Sequence, residues 1–588
     1  MDMHRRDFLW LLSCAGSAGL LTGCMRGTVR GDPYEASPFG NVRLLHFTDC
    51  HAQLLPIYFR EPNVNIGIAG AAGRPPHLVG RHLLEYIGAA AGSSDAHAFT
   101  YLDFAAAAEQ FGKVGGFAHL KTLIDRQRDA VGDGNSLLLD GGDTWQGSAT
   151  ALWTRGRDMV YASNLLGVDI MTGHWEFTYR DDEVLQNIER FNGEFIAQNV
   201  RVTEDALFDG ADAYDEDSGH AFKPCTIREV GGRRVAVIGQ AFPYTPIANP
   251  RRFIPNWTFG IRDDDMQELV DHVRENEKVD AVIVLSHNGM DVDVKMASRV
   301  SGVDAILGGH THDGIPYPLI IENAGGKTLV TNAGSNGKFL AVLDLDIGNG
   351  KVNDYRYRLL PVFANLLPAD SAMQAYIDDV RKPYLDKLQE PLAVAESLLY
   401  RRGNFSGTFD QVICDALRQV RGAEISLSPG FRWGTSVLPG DTITMERVMD
   451  QTAITYPETY VRDMSGAEIK TILESVADNL FHTDPYFQQG GDMVRVGGLN
   501  FSCDPTASMD YRIADLTLDD GRMLDAGRKY KVAGWATTGS ESSGEPVWEV
   551  VAEYLRAKKT ITVDKLNTPV LKNVAENAGL ADYSGALE

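Results

Sequence analysis

Asn41-Val42-Arg43-Leu44-Leu45-His46-Phe47-Thr48-Asp49-Cys50-His51 is the stretch on which the reading of this chain turns. Its first eight residues form a short, mostly apolar run that ends in polar residues, the pattern of a buried strand. Asp49 and His51 stand at the exit of that strand. In an extended chain residues i and i+2 face the same way, so these two side chains are expected to point together and Cys50 away. A lone D-x-H carries little weight. Its weight comes from similar arrangements further along the chain.

Three more apolar runs of strand length follow, at 136–140, 235–239 and 281–285. Helical patterns lie between them, as at 117–128 and 266–277. Strand–helix alternation with polar residues just past the strand ends predicts an α/β fold. Residues 372–388 read as a single polar helix, suited to link domains. After Pro391 the texture changes to a helix at 409–420, then short strands and turns rich in Gly and Pro, as in a separate α+β domain. Residues 61–111 are Gly- and Ala-rich and read as an inserted loop or lid. The expected organisation is a leader at 1–30, a metal-binding domain at 40–365, a linker helix at 366–390 and a substrate domain at 391–588.

Composition narrows the function. Hydrophobic content of 44% and charged content of 23% are ordinary for a soluble globular protein. A net charge of −25 repels nucleic acid and anionic membranes. An anionic substrate would need local positive charge, most simply from bound metal ions. Six cysteines without a CxxC pair point to neither a zinc ribbon nor a disulfide framework. Arg5-Arg6-Asp7-Phe8-Leu9, followed by an apolar stretch to Leu21, reads as a twin-arginine export signal. Leu21-Thr22-Gly23-Cys24 also fits a lipoprotein box, so simple cleavage and lipidation at Cys24 both stay open. Beyond the leader no apolar run is long enough to span a bilayer.

Four further polar boxes accompany Asp49 and His51. Gly141-Gly142-Asp143-Thr144-Trp145-Gln146-Gly147-Ser148 presents a carboxylate at a tight glycine turn, where it can bridge two cations. Gly173-His174-Trp175-Glu176-Phe177 is next. Ser286-His287-Asn288-Gly289 follows an apolar strand. Gly308-Gly309-His310-Thr311-His312-Asp313 carries two histidines expected to share a face. Any one of these histidines could be a structural or surface residue. Together the two aspartates and five histidines supply enough N and O donors for two metals sharing one carboxylate. The absence of thiolate donors suits manganese, zinc, iron or cobalt. Two cations roughly 3.5–4 Å apart can deprotonate a water held at Asp143 and neutralise the attacked group.

In this order the five boxes resemble those of the calcineurin-like phosphoesterases, and especially the 5′-nucleotidases. The resemblance continues through Phe405-Ser406-Gly407-Thr408, Ala416-Leu417-Arg418 and Met464-Ser465-Gly466-Ala467-Glu468-Ile469-Lys470 into a nucleotidase-type C-terminal domain. It implies a β-sandwich metallophosphoesterase domain flanked by helices, followed by a 5′-nucleotidase-type α+β domain. It also implies that Asp49, His51 and His312 hold one metal, that Asp143 bridges, and that His174, His287 and His310 hold the other. Whether His310 and His312 each approach the opposite metal stays open.

Departures narrow the family. Nucleotidases usually carry Gly-Asn-His-Glu, in which the His stabilises the transition state. Here His174 takes the Asn position, and Trp175 takes the His position, where it can neither donate nor accept a proton usefully at neutral pH. The arginine box is altered to Ser428-Pro429-Gly430-Phe431-Arg432-Trp433-Gly434, and 453–460 replaces the usual loop. With the leader, this set is similar to the SoxB-type sulfate thiohydrolases of periplasmic thiosulfate oxidation. That resemblance implies a dimanganese enzyme releasing sulfate from a cysteine S-thiosulfonate on the arm of the Sox carrier protein SoxYZ, leaving a persulfide. A good leaving group of this kind tolerates loss of the His. Such an arm needs a channel between the domains, with Arg432 as an anion fork and Trp175 as an apolar wall. Two other readings remain. One is a periplasmic 5′-nucleotidase or cyclic nucleotide phosphodiesterase, disfavoured by the altered boxes. The other is a metal-stabilised module that only docks a Sox-type partner, disfavoured by the intact donor set.

Overall fold

A computed structural model describes residues 32–588; the twin-arginine pattern and Cys24 lie outside the described residues. Two six-stranded sheets build the N-terminal half. The first starts with β1 (Val42–Phe47), β2 (Ser136–Asp140), β3 (Ile170–Met171) and β4 (Glu194–Phe195). The second holds β5 (Cys225–Val230), β6 (Arg233–Gln240), β7 (Ala281–Ser286), β8 (Ala305–Gly308), β9 (Leu319–Asn323) and β10 (Gly326–Asn332). The chain then returns to the first sheet with the hairpin of β11 (Phe339–Gly348) and β12 (Lys351–Pro361). Strand order is β12-β11-β1-β2-β3-β4 in one sheet and β9-β10-β8-β7-β6-β5 in the other.

Side-chain alternation explains the layering. Leu44, Leu137, Leu139, Val237, Ile283 and Leu307 meet in the core between the sheets. Their neighbours Leu45, Phe47 and Leu138 turn outward onto α1 (Phe117–Asp129). On the far side Ile238, Val282 and Val284 pack on Met266, Val270 and Met290 of flanking helices. The result is a β-sandwich between helical layers. Because β1, β2 and β3 run parallel in one sheet and β6, β7 and β8 in the other, their C-terminal ends converge along one rim.

The segment predicted as one helix at 372–388 is interrupted. An α-helix covers Ser371–Arg381, a 3₁₀ turn covers Lys382–Tyr384 and a short helix covers Leu385–Leu388. Pro383 accounts for the break, since its ring removes an N–H and clashes with the preceding turn. Beyond it lies a four-stranded sheet with β13 (Ile425–Ser428), β14 (Thr459–Ser465), β15 (Arg495–Gly497) and β16 (Lys529–Trp535), in the order β14-β16-β13-β15. Long helices at Thr408–Arg421 and Gly466–Phe481 cover this sheet, and a third at Val547–Lys558 packs on the first of them. The Gly466–Phe481 helix starts at a capping box formed by Ser465 and Glu468.

Residues 61–111 are more than a loop. They contain helices at Gly80–Ile87, Ser94–Phe99 and Phe104–Phe111. Val64, Ile66 and Ile68 join the core of the C-terminal half, beside Phe405, Leu473 and Phe501. A strap from near the C-terminus fastens them. Asn65 N donates to Gly579 O (2.7 Å), Val79 N to Ala578 O (3.1 Å) and Ala581 N to Asn63 O (3.0 Å). Tyr101 Oη donates to Asp582 (2.7 Å).

Candidate metal centre

All seven donor residues named from the sequence lie on that rim, buried, just past the ends of β1, β2, β3, β7 and β8. Their side chains form two groups. Asp49, His51, Asp143 and His312 make one; His174, His287 and His310 make the other. Asp143 stands between them. Its Oδ2 lies 3.5 Å from His51 Nε2, 3.2 Å from His174 Nδ1 and 3.5 Å from His287 Nε2. Asp49 Oδ1 lies 3.3 Å from His312 Nε2 and 3.5 Å from His287 Nε2.

The side chains converge for a different reason than strand alternation. Asp49, His51, Asp143, His310 and His312 all have left-handed backbones, with φ of 52°, 45°, 62°, 73° and 61°. Each such turn costs a non-glycine residue on the order of 1–3 kcal/mol and persists only where its surroundings fix it. The turns also separate His310 from His312, so the two do not share a face but enter different groups. Nearby glycines make room. A Cβ at Gly309 would collide with Thr48 and Asp49, and one at Gly490 with the His310 ring.

The donor set fits two cations on three observations. Among the described residues no lysine or arginine pairs with Asp49 or Asp143, so two buried carboxylates lack a fixed countercharge. The ring nitrogens turned toward the two carboxylates, His51 Nε2, His174 Nδ1, His287 Nε2 and His312 Nε2, meet only those carboxylates and one another among the described residues. His51 Nε2 and His312 Nε2 lie 3.0 Å apart, close enough to share a proton or a cation.

Electrostatics agree. Burial holds His51 and His174 down at about 4 and pushes His310 and His312 well below the usual range, so all four stay neutral, the state that ligates. Burial opposes ionisation of Asp143, but His51 and His174 outweigh it and keep the carboxyl well below its ordinary value. His287 goes the other way, up to about 9, because Asp49 and Asp143 overcome its burial.

Trp175 and Arg432 both line a cavity of about 260 Å³ that opens onto this centre between the two halves. Arg432 donates to His310 O (3.3 Å) and Gly491 O (2.9 Å), and each terminal nitrogen keeps a second N–H. Trp175 packs edge-on against Trp433 (5.2 Å between centroids) and Phe431 (5.5 Å). Sequence reasoning missed the rest of this wall. Trp433 stacks on His51, and Phe242 stacks on His310 at 4.0 Å. Phe242 lies just past the end of β6 on the same rim, and Trp433 follows Arg432, so both signals were in reach. The Gly490-Gly491 pair, which lets its loop approach His310, was a third.

Comparisons with known proteins converge on this geometry. Residues 394–552 match the family model described as 5′-nucleotidase, C-terminal domain. The structure of sulfate thiohydrolase SoxB from Thermus thermophilus, in complex with glycerol, superposes with a TM-score of 0.85. It is 37% identical and the match covers 92% of this chain and 98% of that one. A 5′-nucleotidase precursor from Thermus thermophilus shares the fold, with a TM-score of 0.70 at 22% identity over 90% of this chain and 99% of its own. A 5′-nucleotidase of Diplobatis ommata is 26% identical over 332 residues, 52% of this chain and 54% of its own length. An apyrase of Tabanus yao is 26% identical over 314 residues, half of each chain. The chain thus spans about half the length of these two curated relatives.

Proposed function

We propose, since the chain belongs to the 5′-nucleotidase family and within it to the branch of sulfate thiohydrolase SoxB, that this hydrolase releases sulfate from a cysteine S-thiosulfonate borne on the arm of a Sox-type carrier protein, SoxYZ. The observation that carries the reading is Trp175. Where a nucleotidase would present a proton donor to the leaving group, an indole lies against His174 and Trp433. A persulfide leaves without such help; an alkoxide does not.

Asp49, His51 and His312 are assigned to one cation and His174, His287 and His310 to the other, with Asp143 shared. Two bound cations, taken as Mn²⁺ on the resemblance to the SoxB-type enzymes, would supply Lewis acidity and a nucleophile of low pKa. The chain's own groups do the rest. Asp143 draws both donor groups to one point. The spare N–H groups of Arg432 offer a planar fork to sulfonate oxygens. Trp175, Trp433 and Phe242 exclude water and face the polarizable sulfane sulfur. The leader motifs support export to the periplasm by the twin-arginine route, with Cys24 either cleaved away or lipidated.

The deciding experiment sets metal-loaded protein against carrier-bound thiosulfonate and, separately, AMP. Sulfate release with little AMP hydrolysis is expected. Loss of a proton-donating His is typically worth about 10²–10⁴-fold on the phosphoester. Robust AMP hydrolysis without sulfate release would replace this reading with a nucleotidase.

A further inference from the structure

Glu176 is buried, is no member of either donor group, and pairs with no cation among the described residues. Its carboxylate is instead surrounded by four backbone N–H groups. Oε2 accepts from His174 N (2.8 Å) and Asp143 N (3.1 Å); Oε1 accepts from Thr144 N (2.8 Å) and Trp145 N (3.1 Å). These amides come from two loops, one after β2 and one after β3. One carries Asp143; the other carries His174. The reverse contact also exists, from Trp175 N to Asp143 Oδ1 (3.3 Å).

Both captured residues sit in costly backbone conformations. Asp143 has φ of 62°. His174 has φ −148° and ψ −84°, outside the main allowed regions. Charge-assisted bonds to one carboxylate are stronger than neutral ones and can hold such geometry. Asp143 belongs to one donor group and His174 to the other, so a single side chain fixes the backbone of both.

We propose that Glu176 is the positioning residue that couples the two halves of the metal centre: it presets Asp143 and His174 together, so that weakening it weakens both cation sites at once. The inference rests on the dimetal reading of the site and is independent of which substrate is cleaved.

Glu176→Gln tests it. The new amide would turn an NH₂ toward two of the four N–H donors while keeping the volume. Glu176→Asp keeps the charge but is one methylene short of spanning both loops. Each full-length protein is stripped of metal, then titrated with Mn²⁺ by calorimetry and analysed for bound manganese, with thermal unfolding of the metal-free form in parallel. The expected result is a fall of about 10–100-fold in affinity at both sites, the usual effect of losing a group that orients ligands. Unfolding of the metal-free form should shift downward in both variants, since buried N–H groups lose their acceptor, and excess Mn²⁺ should restore kcat with KM unchanged. Unchanged affinity, or a loss confined to one cation, would overturn the coupling. If the Gln variant does not fold, the Asp variant decides by the same two outcomes. Wild-type protein that takes up fewer than two cations would sink the dimetal reading itself.

Discussion

Left-handed backbone at five of the seven candidate donors, together with Gly309 and Gly490, is what the site costs at the scale of single residues. The seven candidate donors were legible because each is a His or Asp at a Gly-rich or polar strand exit. The sequence could not show the turns themselves, since φ is settled by loops that meet only in three dimensions. Of the aromatic wall it gave Trp175 but not Phe242 and Trp433, whose only signal is position, one just past a strand end and the other beside Arg432. Arg432 was visible as the survivor of an altered box, yet its second task was not. It also holds the carbonyls of His310 and Gly491. Arg432→Ala is expected to cut turnover of the carrier-borne thiosulfonate at least tenfold, about 1.4 kcal/mol of transition-state binding, while elemental analysis still finds two cations per chain. Unchanged turnover would mean that the guanidinium serves only to hold its loop.

Among elements, the strands were the easiest to read. Runs such as 136–140 and 281–285 are buried on both faces, and only a continuous apolar stretch satisfies that. The segment at 61–111 was the hardest. Its small residues carry little periodic signal, and its apolar side chains divide between two cores: Leu84, Ile87 and Phe99 pack onto the sandwich, and Val64, Ile66 and Ile68 onto the C-terminal half. Several polar links tie this segment to the N-terminal half, among them Lys338 to Glu61 (2.6 Å) and His77 Nε2, which lies 2.9 Å from Asp291 Oδ2 at the start of the helix Met290–Arg299. Burial alone would lower the His77 pKa, but Asp291 outweighs it and the value is raised above 6.5. The pair's contribution is therefore whole below about pH 6.5 and is lost as pH rises through the raised value. Asp291, held below its ordinary value against its burial by His77, sets the acid limit of the same window. His77→Gln should cost about 1.5–3 kcal/mol at pH 6, the worth of a charged hydrogen bond. The gap from wild type, measured by urea unfolding, should shrink at pH 9. A gap that does not change with pH would show that the pair is never ionised.

At the scale of the molecule, two halves enclose the centre because contacts join them on several sides. Gln146 donates to Ala453 O (2.7 Å), Thr178 bonds Thr455 (2.6 Å) and Arg402 donates to Thr311 O (2.8 Å). The strap at 577–582 adds a further side through the inserted segment. Removing residues from Asn577 onward is expected to speed amide hydrogen exchange across 63–79 while leaving β1, β2 and β7 protected, since locally held segments open first. Exchange at 63–79 equal to that of the full chain would show that the segment holds itself.

The strap also has a consequence in time. Asn63 and its partner Ala581 are 518 residues apart in the chain. At roughly 5–20 residues per second, a ribosome needs about half a minute to nearly two minutes to pass from one to the other. The sandwich strands through β12 are complete well before then and can fold as they emerge. Until the C-terminal half is made, Val64, Ile66 and Ile68 have no cover, because Phe405, Leu473 and Phe501, beside which they pack, do not yet exist. Newborn chains therefore carry an exposed apolar row on an otherwise finished domain, a surface that chaperones bind and that aggregation exploits.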